Sequence, residues 1–468
     1  MNDYFRIHQI RPRFKNNVES VLLYMASEIV RIGPRAKDDF EIEIFDAIKR
    51  FPGNQFVANK TISNWRTEIS SLFGLYICDG VNTRPGAMAN LLDKNEDLPM
   101  FFKYFLYHFQ YPGGHLKPHK TLEMIKAGIK FKPAKYILLT LLEGKKIVGE
   151  LSSFGISKAE ATHLIFNSLS VTTGKLGADK TAKKILNNRS NKVSYDEDGD
   201  VIRYAGDILD YMVLADILTK HFDGRFYIKP GNLNVISAFI DSNVYFEPYD
   251  AMYANGSHIT AADIKDTQTL WFEYVNTSLY SDLFETDVST FFSADPGENV
   301  DINHAKMLST IIEEAQGVIV DKSTKRIGDF GEAISIKHEC NRLRSLGRDD
   351  VLHLVKKIPE VFAVGYDISS FDGHGDLRRY VEVKTTISKS SITKYSFHLT
   401  PSEWSAASSN RNIYYVYRIF ISSDNIKLFV IHDPVGQFKN DRLPMIPRDG
   451  AQFSFSEENG VWENIMYD

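Results

Sequence analysis

The sequence predicts a multidomain protein with a mainly helical amino-terminal region and a carboxy-terminal α/β domain built around a central mixed sheet. The length of 468 residues is enough for two to four domains. Apolar residues recur at helical spacing between residues 17 and 76 and again between residues 135 and 169. Residues 361–368 have strand character and residues 380–386 alternate as a strand does, and both segments lie in the last third of the chain.

Cysteine content and hydropathy exclude several classes of protein. Cys78 and Cys340 are the only cysteines, and neither belongs to a CxxC pair or a Cys/His cluster, so a disulfide framework and a structural zinc site are not expected. The segment MNDYFRIHQIRPRF lacks an apolar leader, and no stretch of eighteen uninterrupted apolar residues follows. We therefore expect a cytoplasmic protein with no membrane partner.

Three short helices are predicted in the first part of the chain, over residues 17–32, 40–50 and 59–76. The third has an apolar stripe, formed by Ile62, Trp65, Ile69, Leu72 and Phe73. Lys60, Asn64 and Arg66 lie off this stripe and are candidate DNA-binding residues. The pattern is typical of a winged helix or helix-turn-helix, although an ordinary helical bundle gives the same one. We assign residues 1–115 to a winged-helix-like recognition subdomain.

A second set of helices is predicted over residues 135–143, 147–154 and 157–169. Ser157 and Glu160 have the spacing of a capping box at the start of the last helix, and a glycine lies in the turn before it. This order is that of a helix-turn-helix, in which Lys158, Thr162 and His163 would face DNA.

Charge is unevenly distributed, although the formal net charge of the chain is only −5. Residues 112–192 contain fifteen lysines and arginines and five acidic residues, a local charge of +10, whereas residues 195–329 are acidic. Such a block can neutralise DNA phosphates and release their counterions, although a solvated lysine surface gives the same count. We assign residues 116–293 to a second, basic winged-helix-like recognition subdomain.

Three motifs follow in the last part of the chain. Residues 294–310 contain proline, glycine, aspartate and asparagine and form the predicted linker, and residues 311–468 form the last domain. In that domain IGDFGE occupies residues 327–332, GYDISSF residues 365–371 and RYVEVKTT residues 379–386. The first motif lies in a predicted helix. The other two are joined by the turn-rich FDGHGDLRR, which predicts a hairpin.

The hairpin brings together a candidate catalytic set. Asp367 lies on its first strand, whereas Glu382 and Lys384 share one face of the second, about 7 Å apart along the chain. Carboxylate oxygens are the ligands that a hard cation prefers for phosphodiester hydrolysis, and a lysine can orient water or stabilise charge on the phosphate. Glu332 on the helix and Glu403 further along are candidate accessory residues. An isolated Glu-Val-Lys is usually a surface pair, so the prediction depends on Asp367 and the hairpin.

With these motifs, residues 325–435 resemble the PD-(D/E)XK nuclease superfamily, and within it the Mrr-like or NOV-type domain of restriction and helicase-associated proteins. The segments FHLTPSEW at residues 397–404 and IYYVYRI at residues 413–419 add to the resemblance. It implies that Asp367, Glu382 and Lys384 form the catalytic set, that Asp367 and Glu382 bind the metal, that Glu332 assists, and that Mg²⁺ is the cofactor. Tyr366 stands where the superfamily name has proline.

The amino-terminal region resembles the recognition part of modular Type IIS restriction enzymes of the BpuJI group, through NWRTEISSLFGLY at residues 64–76, FFKYFLYHFQYP at residues 101–112 and the helices after residue 135. The two resemblances imply a Type II restriction endonuclease of a phage-defence system that cuts double-stranded DNA, pairs as a transient or stable homodimer and has a cognate methyltransferase. Two alternatives stay open: a modification-dependent restriction enzyme, and a DNA-binding protein with an inactive nuclease fold. A nucleotide-driven motor is excluded because no GxxxxGK[ST] loop occurs.

Overall fold

A computed structural model describes residues 3–8, 12, 14, 17–149, 153–254, 258–277, 282–292, 310, 327–390, 392, 395–423 and 425–465. The chain divides into two compact units. The first comprises Met1–Lys94, Leu98–Phe284 and Asp295–Asn299, and the second comprises Asn95–Asp97, Glu285–Ala294 and Val300–Asp468. The predicted linker, residues 294–310, lies outside the described residues except for Thr310, and so do residues 311–326 of the predicted last domain. The four-part division of the chain therefore stays a prediction.

The first unit is mainly helical, as predicted. Its helices are α1 (Val18–Ile32), α2 (Lys37–Arg50), α3 (Asn59–Thr67), α4 (Ala87–Asn95), α5 (Leu98–His108), α6 (Pro118–Lys126), α7 (Pro133–Val148), α8 (Lys158–Ala161), α9 (Leu169–Thr172), α10 (Ala178–Ser190), α11 (Gly199–Leu214), α12 (Leu233–Asp241), α13 (Asp250–Ala254), α14 (Ala261–Asp266) and α15 (Gln268–Val275). Its short strands are β1 (Arg35–Ala36), β2 (Tyr76–Cys78), β3 (Asn82–Pro85), β4 (Leu218–Lys220) and β5 (Phe226–Ile228). None of the described helices is both long and apolar enough to cross a bilayer.

The first three helices surround a small antiparallel sheet of strand order β1-β3-β2. Helix α3 continues into a π-helical turn, Glu68–Leu72, and the chain then enters β2. The predicted apolar stripe of α3 and this turn is buried, with Ile62 and Ile69 fully enclosed. The third predicted helix therefore ends before residue 76, because Gly74 adopts a positive φ of 67° and the chain there becomes extended.

The helix predicted over residues 147–154 is wrong, because α7 runs without interruption from Pro133 to Val148. Gly144 is inside this helix, where an added Cβ would lie 2.1 Å from the ring of Phe154. Gly144 thus lets the ring of Phe154 pack closely against the helix and does not break it. Residues 150–152 lie outside the described part of the chain, and residues 153 and 154 are not helical. The capping box of Ser157 and Glu160 is confirmed at the start of α8.

The second unit contains a mixed sheet, as predicted. Its helices are α16 (Val288–Phe291), α17 (Ile327–Ser345), α18 (Pro401–Asn410) and α19 (Pro434–Lys439). Its strands are β6 (Lys356–Lys357), β7 (Ile368–Phe371), β8 (Arg378–Ile387), β9 (Ser396–Leu399), β10 (Tyr414–Ile421), β11 (Ile426–His432), β12 (Met445–Arg448), β13 (Gly450–Ser454) and β14 (Val461–Glu463). The main sheet has the order β14-β11-β10-β8-β7-β6, in which β8 and β10 are parallel and the other neighbours antiparallel.

Strand β8 lies inside the main sheet and helix α17 packs against it. Val381 of β8 is fully buried in a core that includes Ile334 of α17 and Ile419 of β10. Gly331 allows the close approach of α17, since an added Cβ there would lie 1.9 Å from Oγ1 of Thr385. The odd-numbered residues of this part of β8 thus anchor the strand, which fixes the direction of its even-numbered residues.

The strand predicted over residues 361–368 is wrong in all but its last residue, because β7 begins at Ile368. Residues Glu360–Phe362 form a 3-10 turn after Pro359. Ala363 and Gly365 have positive φ angles of 47° and 79°, which are incompatible with an extended strand. The apolar sequence in this segment therefore forms a loop.

We expect Val381→Ala to destabilise the second unit by about 2 kcal/mol, because it removes two buried methyl groups and leaves a cavity. Val461→Ala is the matched control, since Val461 lies on a strand of the same sheet and is 62% exposed. The measurement is the chemical-denaturation midpoint of each variant, followed by circular dichroism. Equal midpoints for the two variants would contradict the described position of Val381.

Candidate active site

The hairpin of β7 and β8 holds Asp367 directly beside β8. The backbone N–H of Asp367 donates to the carbonyl of Val381 at 2.9 Å. Its side chain accepts a 2.7 Å hydrogen bond from the backbone N–H of Val383. The predicted hairpin is confirmed, with Ile368 paired to Val381 and Phe371 to Arg378. Asp367 is thus fixed at both its backbone and its carboxylate.

Glu382 and Lys384 lie on the same face of β8, as the alternation predicts. The Nζ of Lys384 is 2.7 Å from Oε1 of Glu382, whose side chain is buried. Each residue also has a neighbour in register on the parallel strand β10, Val416 beside Glu382 and Arg418 beside Lys384. The backbone at Glu382 and Lys384 is thus held by β10 on one side, and on the other the N–H of Val383 between them donates to Asp367.

Glu403 completes this group from helix α18. Its Oε2 accepts a 2.8 Å hydrogen bond from Lys384 and another of 3.1 Å from the backbone N–H of Thr400. Thr400 in turn accepts from the N–H of Glu403, so the two residues form a capping box at the start of the helix. The structure therefore brings Glu403 to the lysine of the predicted catalytic set.

Glu332 and Asp329 of helix α17 both contact the ammonium of Lys357. The Oε2 of Glu332 lies 2.7 Å from the Nζ of Lys357, and the same ammonium lies 2.8 Å from Oδ1 of Asp329. Lys357 was missed by the sequence analysis, because nothing in its local sequence marks it. Only the pairing of β6 with β7, which sets Lys357 beside Ile368, brings it to α17.

Burial and mutual repulsion raise the pKa values of the carboxyl groups in this region. Burial raises the pKa of Glu382 well above its usual range, and Asp367 and Glu403 add to the rise against the effect of Lys384. Burial also raises the pKa of Asp367. Burial raises the pKa of Glu332 to about 7, with Asp367 adding to the rise. Burial is thus the main cause of these raised pKa values, and neighbouring carboxylates add to it.

The ammonium of Lys384 stays charged in this environment. Burial alone would lower the pKa of Lys384, but the adjacent Glu382 and Glu403 outweigh it and raise that pKa. In return, Lys384 holds the pKa of Glu403 below its usual value, although burial acts in the opposite direction. Lys384 is therefore a fixed positive charge beside Glu382.

The donor atoms fit a hard divalent cation. Among the residues that the structure describes, no group of three or more histidine, cysteine, aspartate or glutamate side chains is arranged to hold a metal ion by itself. Mg²⁺ usually keeps several waters and is held by one or two carboxylates together with substrate phosphates. Glu382 supplies a buried carboxylate and Asp367 a partly buried one, both with raised pKa values that a cation would lower.

The predicted DNA-binding residues lie in the first unit. Lys60, Asn64 and Arg66 lie on α3, where Lys60 is exposed and Arg66 forms an ion pair of 2.9 Å with Glu41. Lys158 lies on α8, and its ammonium is 2.8 Å from Asp210 of α11. The structure thus places three of the four on one helix and the fourth in a separate ion pair.

Two neighbours of Lys158 do not project as predicted. Thr162 is buried, and its hydroxyl donates to the carbonyl of Lys158. His163 is partly exposed and stacks on Tyr195, with ring centroids 5.5 Å apart. Residues 162–166 form a π-helical turn, which changes the side-chain directions expected of a regular α-helix. The prediction that Thr162 faces DNA is therefore wrong.

The chain thus has two parts: a helical unit, and a mixed-sheet unit that contains the acidic centre with its lysine. Residues 1–272 match the family model described as restriction endonuclease BpuJI, N terminal, and because this match spans more than half of the chain, the chain belongs to that family. Residues 331–431, which include every residue of the candidate centre, match the model described as protein NO VEIN, C-terminal. The resemblances to the BpuJI group and to the NOV-type domain are therefore confirmed. Membership of the PD-(D/E)XK superfamily stays a prediction.

One solved structure is similar to the helical region. It is the crystal structure of the BpuJ1 endonuclease binding domain in complex with pyrene- and phenanthrene-modified DNA. The likeness has a TM-score of 0.51 at 24% identity and covers 59% of this chain and 98% of that chain. It shows that the fold of the two helical regions is alike. A comparison with curated proteins found no match.

The raised pKa of Glu332 predicts a pH-dependent stability. A carboxyl group with a higher pKa in the folded than in the unfolded state destabilises the fold as pH rises from the unfolded value of about 4.5 to about 7. In EDTA, the wild-type chain should lose about 1–3 kcal/mol more stability between pH 5 and pH 8 than Glu332→Gln does. The measurement is urea denaturation at both pH values. Glu458→Gln, at an exposed glutamate of the same unit, is the control and should behave as the wild type; an unchanged pH dependence in Glu332→Gln would contradict the account.

Proposed function

We propose that the protein is a sequence-specific DNA endonuclease of the Type II restriction class, with recognition in the amino-terminal unit and Mg²⁺-dependent phosphodiester hydrolysis in the carboxy-terminal unit. The observation that carries the proposal is that Asp367, directly before β7, is hydrogen-bonded to β8 beside Glu382 and Lys384. This centre occurs in a chain that belongs to a family named for a restriction endonuclease. The PD-(D/E)XK assignment is part of the same proposal.

The carboxylates and the lysine have distinct tasks in the proposed reaction. Asp367 and Glu382 would hold Mg²⁺, which when bound supplies charge neutralisation at the phosphate and activation of water. Lys384 would exchange its contact with Glu382 for one with the attacking water or a phosphate oxygen, and it carries the positive charge that this contact needs. Glu403 keeps the ammonium in place during that exchange. Glu332 would act as the accessory acid beside Asp367, held by Lys357.

Recognition would belong to the arrangement of α1, β1, α2, α3, β2 and β3, whose strands form a small sheet of order β1-β3-β2, and we propose that this arrangement is the predicted winged helix. Lys60, Asn64 and Arg66 on α3 are the proposed base or phosphate contacts. Arg66 would first have to leave Glu41, whose ion pair with it is solvent-accessible and so weak. Lys158 is a less accessible candidate, because Asp210 already neutralises it. The solved binding domain with this fold carries DNA, which supports this assignment.

Two partners follow from the proposed reaction. The described part of the chain contains one candidate centre, so prompt cutting of both strands calls for two nuclease domains, and we propose a transient or stable homodimer on DNA. A restriction enzyme can also cut the genome of the cell that makes it. We therefore propose a cognate methyltransferase, which would protect that DNA, as a partner in the cell. A requirement for methylated substrate would instead indicate a modification-dependent enzyme.

The cleavage test is a digest of methylated and unmethylated phage DNA with purified protein in Mg²⁺ and in EDTA. We expect discrete Mg²⁺-dependent bands, and we expect Lys384→Ala to lower the cleavage rate at least about a hundredfold because the charged donor is lost. Lys427→Ala is the matched control, since Lys427 is an exposed lysine on β11 of the same sheet. Equal cleavage by Lys384→Ala and the wild type would contradict the proposed centre, and absence of cleavage on both DNAs would favour an inactive, DNA-binding protein.

The recognition test is the salt dependence of DNA binding. If Lys60 contacts a phosphate, Lys60→Ala should reduce the slope of log affinity against log salt concentration by about one, because one fewer counterion is released. Fluorescence anisotropy in the Lys384→Ala background measures binding without cleavage. Lys265→Ala, at an exposed lysine of α14, should leave the slope unchanged. An unchanged slope in Lys60→Ala would remove Lys60 from the interface.

A further inference from the structure

The loop between β6 and β7 presents an apolar tip to solvent. Val361 is 85% exposed, Phe362 65% and Val364 39%. We call these three side chains the apolar tip. Burying an apolar side chain stabilises a fold, so the exposure of these three forgoes that stabilisation. Such a cluster usually marks a binding surface.

The tip is held in place by its own hydrogen bonds. The N–H of Ile358 donates to the carbonyl of Asp367 at 2.7 Å and closes the loop at its base. Within the loop, the N–H of Phe362 donates to the carbonyl of Pro359 at 3.0 Å. The hydroxyl of Tyr414 donates to the carbonyl of Gly365 at 2.9 Å. The apolar side chains are thus displayed by an ordered loop.

The tip lies beside the candidate active site. Val364 lies three positions before Asp367 and Val361 six positions before it, so even a fully extended chain would place them within about 11 Å and 22 Å of it. One strand of duplex DNA advances 3.4 Å per base pair, so 22 Å corresponds to about six base pairs. The tip therefore lies no farther from Asp367 than a duplex of about six base pairs extends from its scissile phosphate.

The surface beside the site suits a nucleic acid. Arg378 and Tyr380 precede Glu382 at alternate positions of β8, which places them on the same face. Tyr366 stacks on Tyr380 with ring centroids 4.2 Å apart. Arginine and tyrosine side chains are common donors to DNA phosphates. The acidic centre is thus continued by groups that suit a DNA backbone.

The size of the tip argues against a second copy of the chain as its occupant. A stable protein interface buries about 800 Å² per partner, which three side chains of one loop do not supply. DNA-bending proteins instead insert one or two apolar side chains between base pairs and kink the duplex. Phenylalanine is one of the residues that serve as such wedges.

We propose that the apolar tip is a wedge that inserts into duplex DNA next to the cleavage position, with Phe362 as the inserted side chain. The proposal rests on the proposed function, since it needs a duplex seated at Asp367. Insertion would unstack one base step and hold the scissile strand in the geometry that the site requires. Phe362 is then a positioning residue.

The experiment uses the full chain and a duplex that contains its mapped cleavage site. The fluorescent base 2-aminopurine is placed at successive steps within six base pairs of the cut, and binding is followed in the Lys384→Ala background. We expect fluorescence to rise severalfold at one step, because the base is unstacked there. Adding Val361→Ser and Phe362→Ser should abolish the rise. Val461→Ser, on β14 at the opposite edge of the sheet, is the matched control and should preserve it.

Two further measurements keep the outcomes separate. With Lys384 intact, Val361→Ser/Phe362→Ser should cleave at least tenfold more slowly than Val461→Ser while binding DNA with similar affinity. An unchanged fluorescence rise in Val361→Ser/Phe362→Ser overturns the wedge. If this variant keeps the rise but loses self-association in sedimentation velocity, the tip is a protein contact. If the wedge fails while Lys384→Ala still abolishes cleavage, the proposed function stands. Absence of cleavage by the wild type overturns both.

Discussion

The contact of the Lys384 ammonium with the buried carboxylate of Glu382 and the partly buried carboxylate of Glu403 is the interaction around which the carboxy-terminal unit is organised. Glu382 comes from an inner strand and Glu403 from the capped first turn of a helix, and both lie within 2.8 Å of the same nitrogen. Removing the lysine would leave the buried carboxylate of Glu382 without its cation, and breaking a buried pair in this way typically costs about 3–5 kcal/mol. The parallel pairing of β8 with β10, the capping box of α18 and the packing of α17 on β8 all maintain this spacing. A site built in this way is rigid before any substrate arrives.

The candidate active site contains more carboxylates than lysines. Asp367, Glu382 and Glu403 share one lysine, and Glu332 and Asp329 share another. Burial and repulsion then raise the pKa values of Asp367, Glu382 and Glu332. A structure tolerates such an excess where function uses it, and a hard cation is the species that the oxygen donors would accept. The clustering of carboxylates thus accounts both for the raised pKa values and for the proposed binding of a cation.

The sequence predicted those parts of the site that depend on local pattern. The alternation of RYVEVKTT placed Glu382 and Lys384 on one face, and the turn-rich FDGHGDLRR predicted the hairpin that aligns Asp367 with β8. Lys357 could not be predicted, because its approach to Glu332 depends on an edge strand of two residues far along the chain. The helix end predicted at residue 143 and the strand predicted over residues 361–367 were wrong for a related reason: a glycine such as Gly144 can end a helix or admit a neighbouring side chain, and an apolar run can form a strand or an exposed loop. Tertiary packing decides between them, and it is not visible in a short window.

The central claim is that the buried carboxylates bind a divalent cation at the centre of the NOV-type unit. Mn²⁺, which replaces Mg²⁺ and is detected by electron paramagnetic resonance, tests this claim without any knowledge of the DNA site. We expect the wild-type chain to bind Mn²⁺ and Glu382→Gln to bind it at least about tenfold more weakly. Glu458→Gln should bind as the wild type does. Equal Mn²⁺ binding by Glu382→Gln and the wild type would contradict the claim.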